Sequence, residues 1–329
     1  MQLVLLRTAI LLLLSHVGAE TLPPLASPLK VTVFSWNVAM CSPSQTDCAF
    51  IKKLGESSDI VVIGVQEVEE LRISQVQPNL QKSHLIRRRI RSNLKNHRCL
   101  SETTHGGTQL LIYATKDLPP PNRINTWEVT CGIGQVVKNK GGLGVSLCLG
   151  GHRCAFIMAH LAAHQNKVDA RNADFSRILR ESEKCLLAEG SSLADVDFLC
   201  FGGDLNYRID LTREEVELCL SPGYPPSSGI LAELMEHDQL TKARASLSEF
   251  FGFSEAPIAF RPTFKFDKRT DQYDTSAKRR IPAWTDRVLY RCAPGFKAHV
   301  ISYDAVEDAS MSDHRPVCAQ FELSGLEHR

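Results

Sequence analysis

Short apolar runs alternate with longer polar segments along most of this chain. Continuous apolar runs of four to eight residues, bounded by polar or turn-forming residues, are typical of buried strands. Five such runs are present: Val31–Trp36, Ile60–Val65, Leu110–Ala114, Ala155–Ala159 and Phe198–Phe201. The pattern therefore predicts a protein built on several buried strands.

One polar segment has a helical period instead. Between Val168 and Leu186 the apolar residues recur at helical spacing, which predicts an amphipathic helix that covers one sheet. A hairpin is predicted around Gly150, and the alternating tail Val317–Leu323 predicts a final strand. The polar, turn-rich segment Lys265–Pro282 is predicted to form a loop at the rim of a cleft.

Strands and helices are mixed along the sequence without an internal repeat, a pattern that predicts an α/β sandwich with sheets inside and helices outside. The chain has 329 residues, of which 43% are hydrophobic and 23% charged, enough to bury a sizeable core. The candidate functional residues described below extend from Asn37 to His314, so two domains would divide the site. We therefore expect one domain over residues 20–329.

The first 19 residues differ from the rest. Arg7 is followed by an apolar stretch that ends in the small residues Gly18 and Ala19, as a secretory signal peptide does. The stretch is too short to span a bilayer. An uncleaved anchor and a buried first helix are the alternatives. We expect residues 1–19 to be a signal peptide and the mature protein to be secreted and formally neutral.

All eleven cysteines follow residue 40, a distribution compatible with an oxidising compartment, although the odd number leaves one without an intramolecular partner. Cys148 and Cys154 flank the glycines of the predicted hairpin and are expected on facing strands. Sequence alone does not settle the pairing. The chain has no Asn-x-Ser/Thr acceptor, so sequence gives no support for N-glycosylation.

Seven basic residues and no acidic residue lie between Lys82 and Arg98, on a predicted helix. Such a surface could face an anionic membrane or a nucleic acid. A helix face that is merely solvated explains the charges equally well, since charge runs are common on exposed helices.

Polar residues follow the predicted strands at the points where the apolar runs end. One such junction is explained by capping of a strand end, but six of them suggest a shared site, because buried polar side chains need partners. The residues are Asn37, Glu67, His160, Asp204 with Asn206, Asp286, and Asp313 with His314.

The residue types suit a magnesium site. Magnesium prefers oxygen ligands and is commonly held by one or two carboxylates and substrate phosphate. Glu67 can supply such a carboxylate, with help from Asn37. Zinc is less favoured, because no Cys and His cluster has finger-like spacing. His160 and His164 are four residues apart, but Leu161 stands where a zinc-protease motif requires glutamate.

The same residues suit the hydrolysis of phosphate esters. Several carboxylates near the phosphorus would repel the substrate. Neutral Asn37 and Asn206, with the imidazole of His160, are better suited to donate hydrogen bonds to the phosphate oxygens. Asp204 is expected to orient and deprotonate the attacking water, and Asp286 to hold His314 in one tautomer. The alternative for Asp286 is a surface ion pair with Arg287 or Arg315.

Nine motifs from Val31 to Phe321 resemble those of the magnesium-dependent inositol polyphosphate 5-phosphatases, which have the endonuclease/exonuclease/phosphatase fold. They are FSWNVA, VIGVQEVEE, KNKGGLGVSL, AHLAAH with RNADF, FGGDLNYRI, PTFKF, YDTSAKRR, IPAWTDRVLY and SDHRPV. The resemblance implies a four-layer α/β/β/α sandwich, with two mixed β-sheets packed face to face and helices outside. GDLNYR followed by PAW-x-DR and SDHRPV separates these phosphatases from nucleases of the same fold.

The resemblance also implies residue roles. Glu67 and Asn37 would lie at the Mg²⁺ with Asp313 supporting them, while Asp204 would serve the attacking water. Asn206 and His160 would hold the scissile phosphate, and Asp286 would pair with His314. The substrate-binding residues would be Lys265, Lys278 and Arg280 at the neighbouring 4-phosphate, Asn139 and Lys140 near the 1-phosphate, and Tyr273.

Two positions depart from the family pattern. Phe264 replaces the usual tyrosine of PTYK, which removes a hydroxyl near the expected 4-phosphate site. Thr285 replaces the usual cysteine of PAWCDR, a change between small residues that we expect to be silent.

The function expected from the sequence is a secreted, Mg²⁺-dependent phosphatase that removes the 5-phosphate of phosphoinositides, soluble inositol polyphosphates, or both. The expected partners are this substrate and, peripherally, a membrane surface, with no nucleic acid. A phosphodiesterase of the same fold, such as a nuclease or sphingomyelinase, is one alternative. A secreted protein that only binds phosphoinositides is the other.

Overall fold

A computed structural model describes residues 28–69, 81–132, 139–149, 151–220 and 228–325 of the chain. The strands of these residues are β1 (Leu29–Asn37), β2 (Ile60–Gln66), β3 (His97–His105), β4 (Thr108–Thr115), β5 (Ile124–Thr130), β6 (Gly141–Leu149), β7 (His152–His160), β8 (Phe198–Asp204), β9 (Asp286–Cys292), β10 (Phe296–Ala305) and β11 (Val317–Gly325). The helices are α1 (Phe50–Glu56), α2 (Gln81–Asn93), α3 (Val168–Ala188), α4 (Arg213–Leu220), α5 (Ser228–Glu236) and α6 (Gln239–Ser246).

The strands form two mixed sheets. One has the order β10-β11-β1-β2-β4-β3 and the other the order β5-β6-β7-β8-β9. The pairs β1–β2 and β7–β8 are parallel, whereas the remaining neighbours are antiparallel. Each parallel pair brings two carboxyl ends to the same edge of its sheet.

The main core lies between the two sheets, where aliphatic residues such as Val33 and Val62 pack with Phe156 and Met158 of the other sheet. Helices α1 and α2 cover the outer face of the first sheet, and α3 covers the outer face of the second. The predicted four-layer sandwich is confirmed. Because side chains alternate between the faces of a strand, the central strands are apolar on both faces.

The five predicted strands, the helix from Val168 and the final strand are all confirmed, with each end correct to within three residues. Strands β6 and β7 pair as the predicted hairpin, although Gly150 lies outside the described residues. The segment Lys265–Pro282 contains no named helix or strand, as predicted for a loop.

The prediction that Cys148 and Cys154 lie on facing strands is confirmed. Cys148 and Cys154 do lie on the paired strands β6 and β7, but Cys148 is opposite Arg153, and Cys154 is opposite Leu147. The two thiols therefore project from opposite faces of the sheet. All eleven cysteines are free thiols in the structure.

Five of the seven basic residues lie on helix α2, whereas Lys95 follows the helix and Arg98 is on β3. Several of these cations have partners. Arg91 lies 2.9 Å from the carboxylate of Glu102 on β3, and Arg87 lies 4.0 Å from it. Lys82 donates to the carbonyl of Met40 at 2.7 Å. The run of positive charge is therefore partly compensated, because Glu102 on β3 lies beside Arg87 and Arg91.

The predicted signal peptide, residues 1–19, lies outside the described residues. Within the part of the chain that the structure describes, no helix is both long and apolar enough to cross a bilayer.

Candidate active site

The strand-end residues meet at one edge of the sandwich. Because β7 and β8 are parallel and in register, His160 lies beside Asp204, and Asp204 lies opposite Asp286 on antiparallel β9. On the first sheet Asn37 ends β1, and Glu67 immediately follows β2. The two sheets face each other, so residues from both of them line the same cleft.

Glycine brings the strand of Asp204 close to its neighbour. Gly203 has φ +128°, and a Cβ atom there would lie 2.0 Å from the carbonyl oxygen of Ala159 on β7. No other residue type fits this position without moving one strand. The glycine that precedes Asp204 is thus needed to hold Asp204 against His160.

Two functional candidates also have strained backbones. Glu67 and Asn206 have φ values of 51° and 58°, in the left-handed region. This conformation costs a non-glycine residue roughly 1–2 kcal/mol. Such strain is common where a binding or catalytic side chain must be aimed into a site.

Glu67, His160 and Asp204 form the first cluster, in which one ligand atom of each lies within 4.8 Å of the others. His160 Nε2 is 3.2 Å from Asp204 Oδ2 and 3.7 Å from Glu67 Oε1. The Lys140 ammonium contacts the same His160 nitrogen. The structure thus brings Lys140, which the resemblance assigns to the 1-phosphate, against this first cluster.

Asp204, Asp286 and His314 form the second cluster, again within 4.8 Å. His314 Nδ1 donates to Asp286 Oδ2 at 2.8 Å, and both side chains are buried. The alternative of a surface ion pair is wrong, because Arg287 pairs with Asp238 and Arg315 pairs with Asp271. Asp286 therefore holds His314, as the sequence predicted.

The electrostatics of the two clusters are coupled through Asp204. Burial works to raise the pKa of Asp204, but His160, His314 and Lys140 outweigh it and hold this pKa well below its usual range. Burial works to lower the pKa of His314, but Asp286, Asp204 and Asp313 outweigh it and raise this pKa to about 9. At neutral pH the site holds an ionised Asp204 beside an imidazolium.

The two asparagines fix the position of Asp204. Asn37 Nδ2 donates to Asp204 Oδ2 at 2.9 Å, and the backbone amide of Asn206 donates to Asp204 Oδ1 at 3.1 Å. Asn206 Nδ2 donates to the carbonyl of Leu161 at 3.2 Å. Both asparagines are almost fully buried, as expected for neutral groups that position a charged one.

Asp313 lies at the site but belongs to neither cluster of possible metal ligands among the described residues. Its Oδ2 accepts a hydrogen bond from Lys265 Nζ at 2.7 Å. Burial works to raise the pKa of Asp313, but His314 and Lys265 outweigh it and lower this pKa. Lys265, which the resemblance assigns to the 4-phosphate, is thus paired with Asp313, which the resemblance assigns to the metal.

The remaining predicted substrate residues differ in exposure. Lys278 is exposed and Arg280 is half-buried. Burial lowers the pKa of Arg208, and the nearby charge of Arg280 lowers it further. Asn139 is exposed in a turn before β6. Tyr273 is turned toward the loop interior, where its hydroxyl donates to the carbonyl of Pro262 at 2.8 Å and its ring stacks on Phe266.

Sequence reasoning missed Arg208, although this residue lies in the motif that delivers Asp204. Arg208 is buried, donates through Nε to the carbonyl of Asn206 at 3.0 Å and contacts the Asn206 side chain. Its guanidinium also lies over the ring of Phe264, 4.3 Å from the centroid. The signal that could have identified Arg208 is its place in the sequence, as a charged residue two positions after Asn206.

The donor set of the first cluster fits a divalent cation. Glu67 and Asp204 offer carboxylate oxygens, the ligands that hard cations such as Mg²⁺ and Ca²⁺ prefer, and Glu67 remains partly exposed. His164 is exposed and is not part of the cluster, and His160 is on a strand. The zinc-protease arrangement, which needs both histidines on one helix, is therefore absent from these described residues.

The sequence matches the model of Endonuclease/Exonuclease/phosphatase family 2 over residues 34–320. It is 32% identical to mouse inositol polyphosphate 5-phosphatase K, over 91% of this chain and 67% of that protein. The chain belongs to the inositol polyphosphate 5-phosphatases. This family consists of phosphoric monoester hydrolases.

Two further relatives are much longer than this chain. Human phosphatidylinositol 4,5-bisphosphate 5-phosphatase A is 35% identical over 89% of this chain. Inositol-1,4,5-trisphosphate 5-phosphatase 1 of Schizosaccharomyces pombe is also 35% identical, over 90% of this chain. The chain spans 30% and 27% of the length of these two 5-phosphatases.

A solved 5-phosphatase structure has the same fold. The inositol polyphosphate 5-phosphatase domain of SPsynaptojanin, in complex with inositol (1,4)-bisphosphate and a calcium ion, matches 91% of this chain and 85% of its own, with a TM-score of 0.72 and 31% identity. Cimex nitrophorin matches with a TM-score of 0.71 but only 24% identity, which shows the fold alone. Function therefore has to be argued from the site.

Proposed function

We propose that this protein is an Mg²⁺-dependent phosphatase that hydrolyses the 5-phosphate of phosphoinositides, such as phosphatidylinositol 4,5-bisphosphate, or of soluble inositol polyphosphates. One observation carries the proposal. Ligand atoms of Glu67, His160 and Asp204, and of Asp204, Asp286 and His314, lie within 4.8 Å of one another in two clusters that share Asp204. Family membership supports the substrate class.

The reaction breaks the bond between phosphorus and the inositol oxygen and joins a water oxygen to phosphorus. One proton of the water ends on the inositol oxygen, which leaves as a hydroxyl group. Asp204 orients this water. Because the pKa of Asp204 is held low, its carboxylate stays ionised and is a good hydrogen-bond acceptor but a weak base. Asp204 therefore contributes mainly by positioning the nucleophile, which is a large effect when the geometry is right.

His314 stabilises the charge that develops on the phosphoryl group. Its Nδ1 is fixed by Asp286, and its Nε2 has no hydrogen bond to any residue that the structure describes. A protonated imidazole donates to a phosphate oxygen through Nε2 and stabilises negative charge without reorganising. His160 and Asn206 complete the donors around the scissile phosphate.

Glu67 would hold the magnesium ion, with help from Asp204 and from the amide of Asn37. When bound, the ion supplies positive charge to the oxygens of the transferred phosphoryl group. Lys140 adds a second positive charge from the protein itself.

The test is phosphate release by the purified protein from phosphatidylinositol 4,5-bisphosphate and from inositol 1,4,5-trisphosphate, with Mg²⁺ and then with EDTA. We expect release only with the metal, and the 4-phosphate should remain on the product. A bis(nitrophenyl) phosphate diester serves as the control substrate. Diester cleavage without monoester hydrolysis would favour the nuclease or sphingomyelinase alternative, and tight binding without turnover would favour the binding protein.

Lys278 tests the expected contact with the neighbouring 4-phosphate. Replacing Lys278 with alanine should raise KM for a 4,5-bisphosphate about tenfold, since a charge-assisted hydrogen bond contributes roughly 1.5–3 kcal/mol. The matched control is Lys95→Ala, an exposed lysine after α2, at the edge of the first sheet that is remote from the site. Equal KM values for the two variants would contradict this role.

We also propose that the rim contacts an anionic membrane when the substrate is a lipid. Met40 is 42% exposed beside Lys268, whose ammonium donates to the carbonyl of Ala39 at 3.0 Å. An exposed apolar side chain among cations is suited to a lipid surface. Sedimentation with vesicles that contain phosphatidylserine should exceed sedimentation with neutral vesicles, and Met40→Asp should reduce it.

We further propose that residues 1–19 direct secretion. The support is the apolar stretch that ends at Ala19. In cells with a secretory pathway, the protein should reach the medium with Glu20 as its first residue, as read by N-terminal sequencing. A variant with Leu12→Arg and Leu13→Arg should stay in the cells. Recovery of the full-length wild-type chain from the cytosol would contradict secretion.

A further inference from the structure

Three hydrogen bonds converge on one oxygen of Asp286. Its Oδ2 accepts from His314 Nδ1 at 2.8 Å, from Thr263 Oγ1 at 2.9 Å and from Thr285 Oγ1 at 2.9 Å. The other oxygen, Oδ1, is buried and has no hydrogen-bond partner among the described residues. The carboxylate is therefore held entirely through Oδ2.

Thr285 contacts both members of the Asp286 and His314 pair. Besides its bond to Asp286, its Oγ1 is 3.3 Å from His314 Nδ1. The side chain is fully buried, so water cannot replace the hydroxyl. A cysteine at this position would offer only a weak S–H donor.

The backbone of Thr285 is hydrogen-bonded to the turn that follows Asp204. Its carbonyl accepts from the amide of Leu205 at 2.8 Å and from the amide of Asn206 at 3.2 Å. One residue thus contacts both the Asp286–His314 pair and the turn that follows Asp204. A valine keeps these backbone bonds and nearly the same shape while it removes the hydroxyl.

We propose that Thr285 is a positioning residue, whose hydroxyl fixes the Asp286 carboxylate and so holds the His314 imidazole in the orientation that the proposed phosphatase reaction requires. This inference rests on the proposed function. It differs from the expectation that the exchange of cysteine for threonine is silent, since the hydroxyl bonds directly to Asp286.

The three hydrogen bonds restrict the rotation of the Asp286 carboxylate. With one acceptor oxygen bound to three donors, rotation of the group about its Cβ–Cγ bond breaks all three bonds at once. Without Thr285 Oγ1 one constraint on this rotation is lost, and the ring of His314 follows the carboxylate. Orientation of a catalytic imidazole by its carboxylate partner has large effects in other hydrolases.

The experiment compares Thr285→Val, Thr285→Ser and Thr285→Cys with the wild type. We expect Thr285→Val to lower kcat roughly tenfold, the scale of one hydrogen bond to a charged group, with KM nearly unchanged. Thr285→Ser should restore wild-type kcat because the hydroxyl returns, and Thr285→Cys should lie between them. Thr32→Val, which removes a buried hydroxyl on β1, is the matched control and should leave kcat unchanged.

A second readout does not need activity. In proton NMR the His314 Nδ1–H signal should be sharp in the wild type and in Thr285→Ser, and should broaden by exchange in Thr285→Val. Should the wild type hydrolyse no phosphate ester, the proposed function fails, and the NMR comparison alone decides the role of Thr285. Wild-type kcat and an unchanged signal in Thr285→Val would overturn the inference, as would a serine variant as impaired as the valine variant.

Discussion

Asp204→Asn should lower the turnover of the proposed substrate phosphatidylinositol 4,5-bisphosphate by roughly 10²-fold or more, the scale expected when a positioned group that serves the nucleophile is lost. The asparagine has nearly the same shape, so the strand geometry is kept. It lacks the charge that attracts His160, His314 and Lys140 in the structure. Turnover is measured as phosphate release at saturating substrate.

The matched control for this prediction is Asp195→Asn. Asp195 is exposed and lies just before β8, at the end of the strand that is remote from Asp204. It should retain wild-type turnover. Thermal unfolding of both variants shows whether a loss of activity reflects unfolding. A folded Asp204→Asn variant with wild-type turnover would remove Asp204 from the mechanism.

Arg287→Met should have the largest effect on stability. The Arg287 side chain is fully buried and bonds to two buried carboxylates: Glu255, at 2.7 Å through two nitrogens, and Asp238, at 3.0 and 3.1 Å. Methionine leaves both carboxylates without this partner in the protein interior. Breaking a buried ion pair in this way costs about 3–5 kcal/mol.

Such a loss is a large part of the 5–15 kcal/mol by which a typical domain is stable. It is measured by urea unfolding of the metal-free protein. Arg88→Met, which changes an exposed arginine on α2, is the control and should change the free energy of unfolding by less than about 0.5 kcal/mol. A small effect of Arg287→Met would mean that Glu255 and Asp238 are satisfied by other groups.

The central strands were predictable from the sequence because they are buried on both faces. Val31–Trp36, Ile60–Val65 and Phe198–Phe201 have sheet neighbours on both sides and packing layers above and below, so that nearly every position is apolar. Such runs need no knowledge of tertiary structure to be recognised.

The sequence did not predict the four strands at the edges of the sheets. In the sheet order β10 and β3 end one sheet, and β5 and β9 end the other. Edge strands are partly solvated, so polar residues interrupt them, as in HRCLSETTH of β3 and INTWEVT of β5. Natural edges are also kept polar to prevent pairing with other chains, which removes the apolar signal.

The sequence also predicts one part of the candidate site and not the other. Glu67, His160 and Asp204 were predictable because each lies within three residues of the end of an apolar run, which marks where a strand ends. The contact of Lys140 with His160 and the hydrogen bond from Thr263 to Asp286 join segments 20 and 23 residues apart. No local pattern encodes such contacts, and only the folded chain brings these groups together.

The proposed mechanism places a divalent cation and the phosphate chemistry at the same edge, where Asp204 ends its strand. Anomalous diffraction from crystals soaked in Mn²⁺, as a substitute for Mg²⁺, locates this cation. We expect a peak within the cluster of Glu67, His160 and Asp204, and we expect its loss in a Glu67→Ala variant. A peak elsewhere on the protein, with this cluster free of metal, would rule out the proposed metal site.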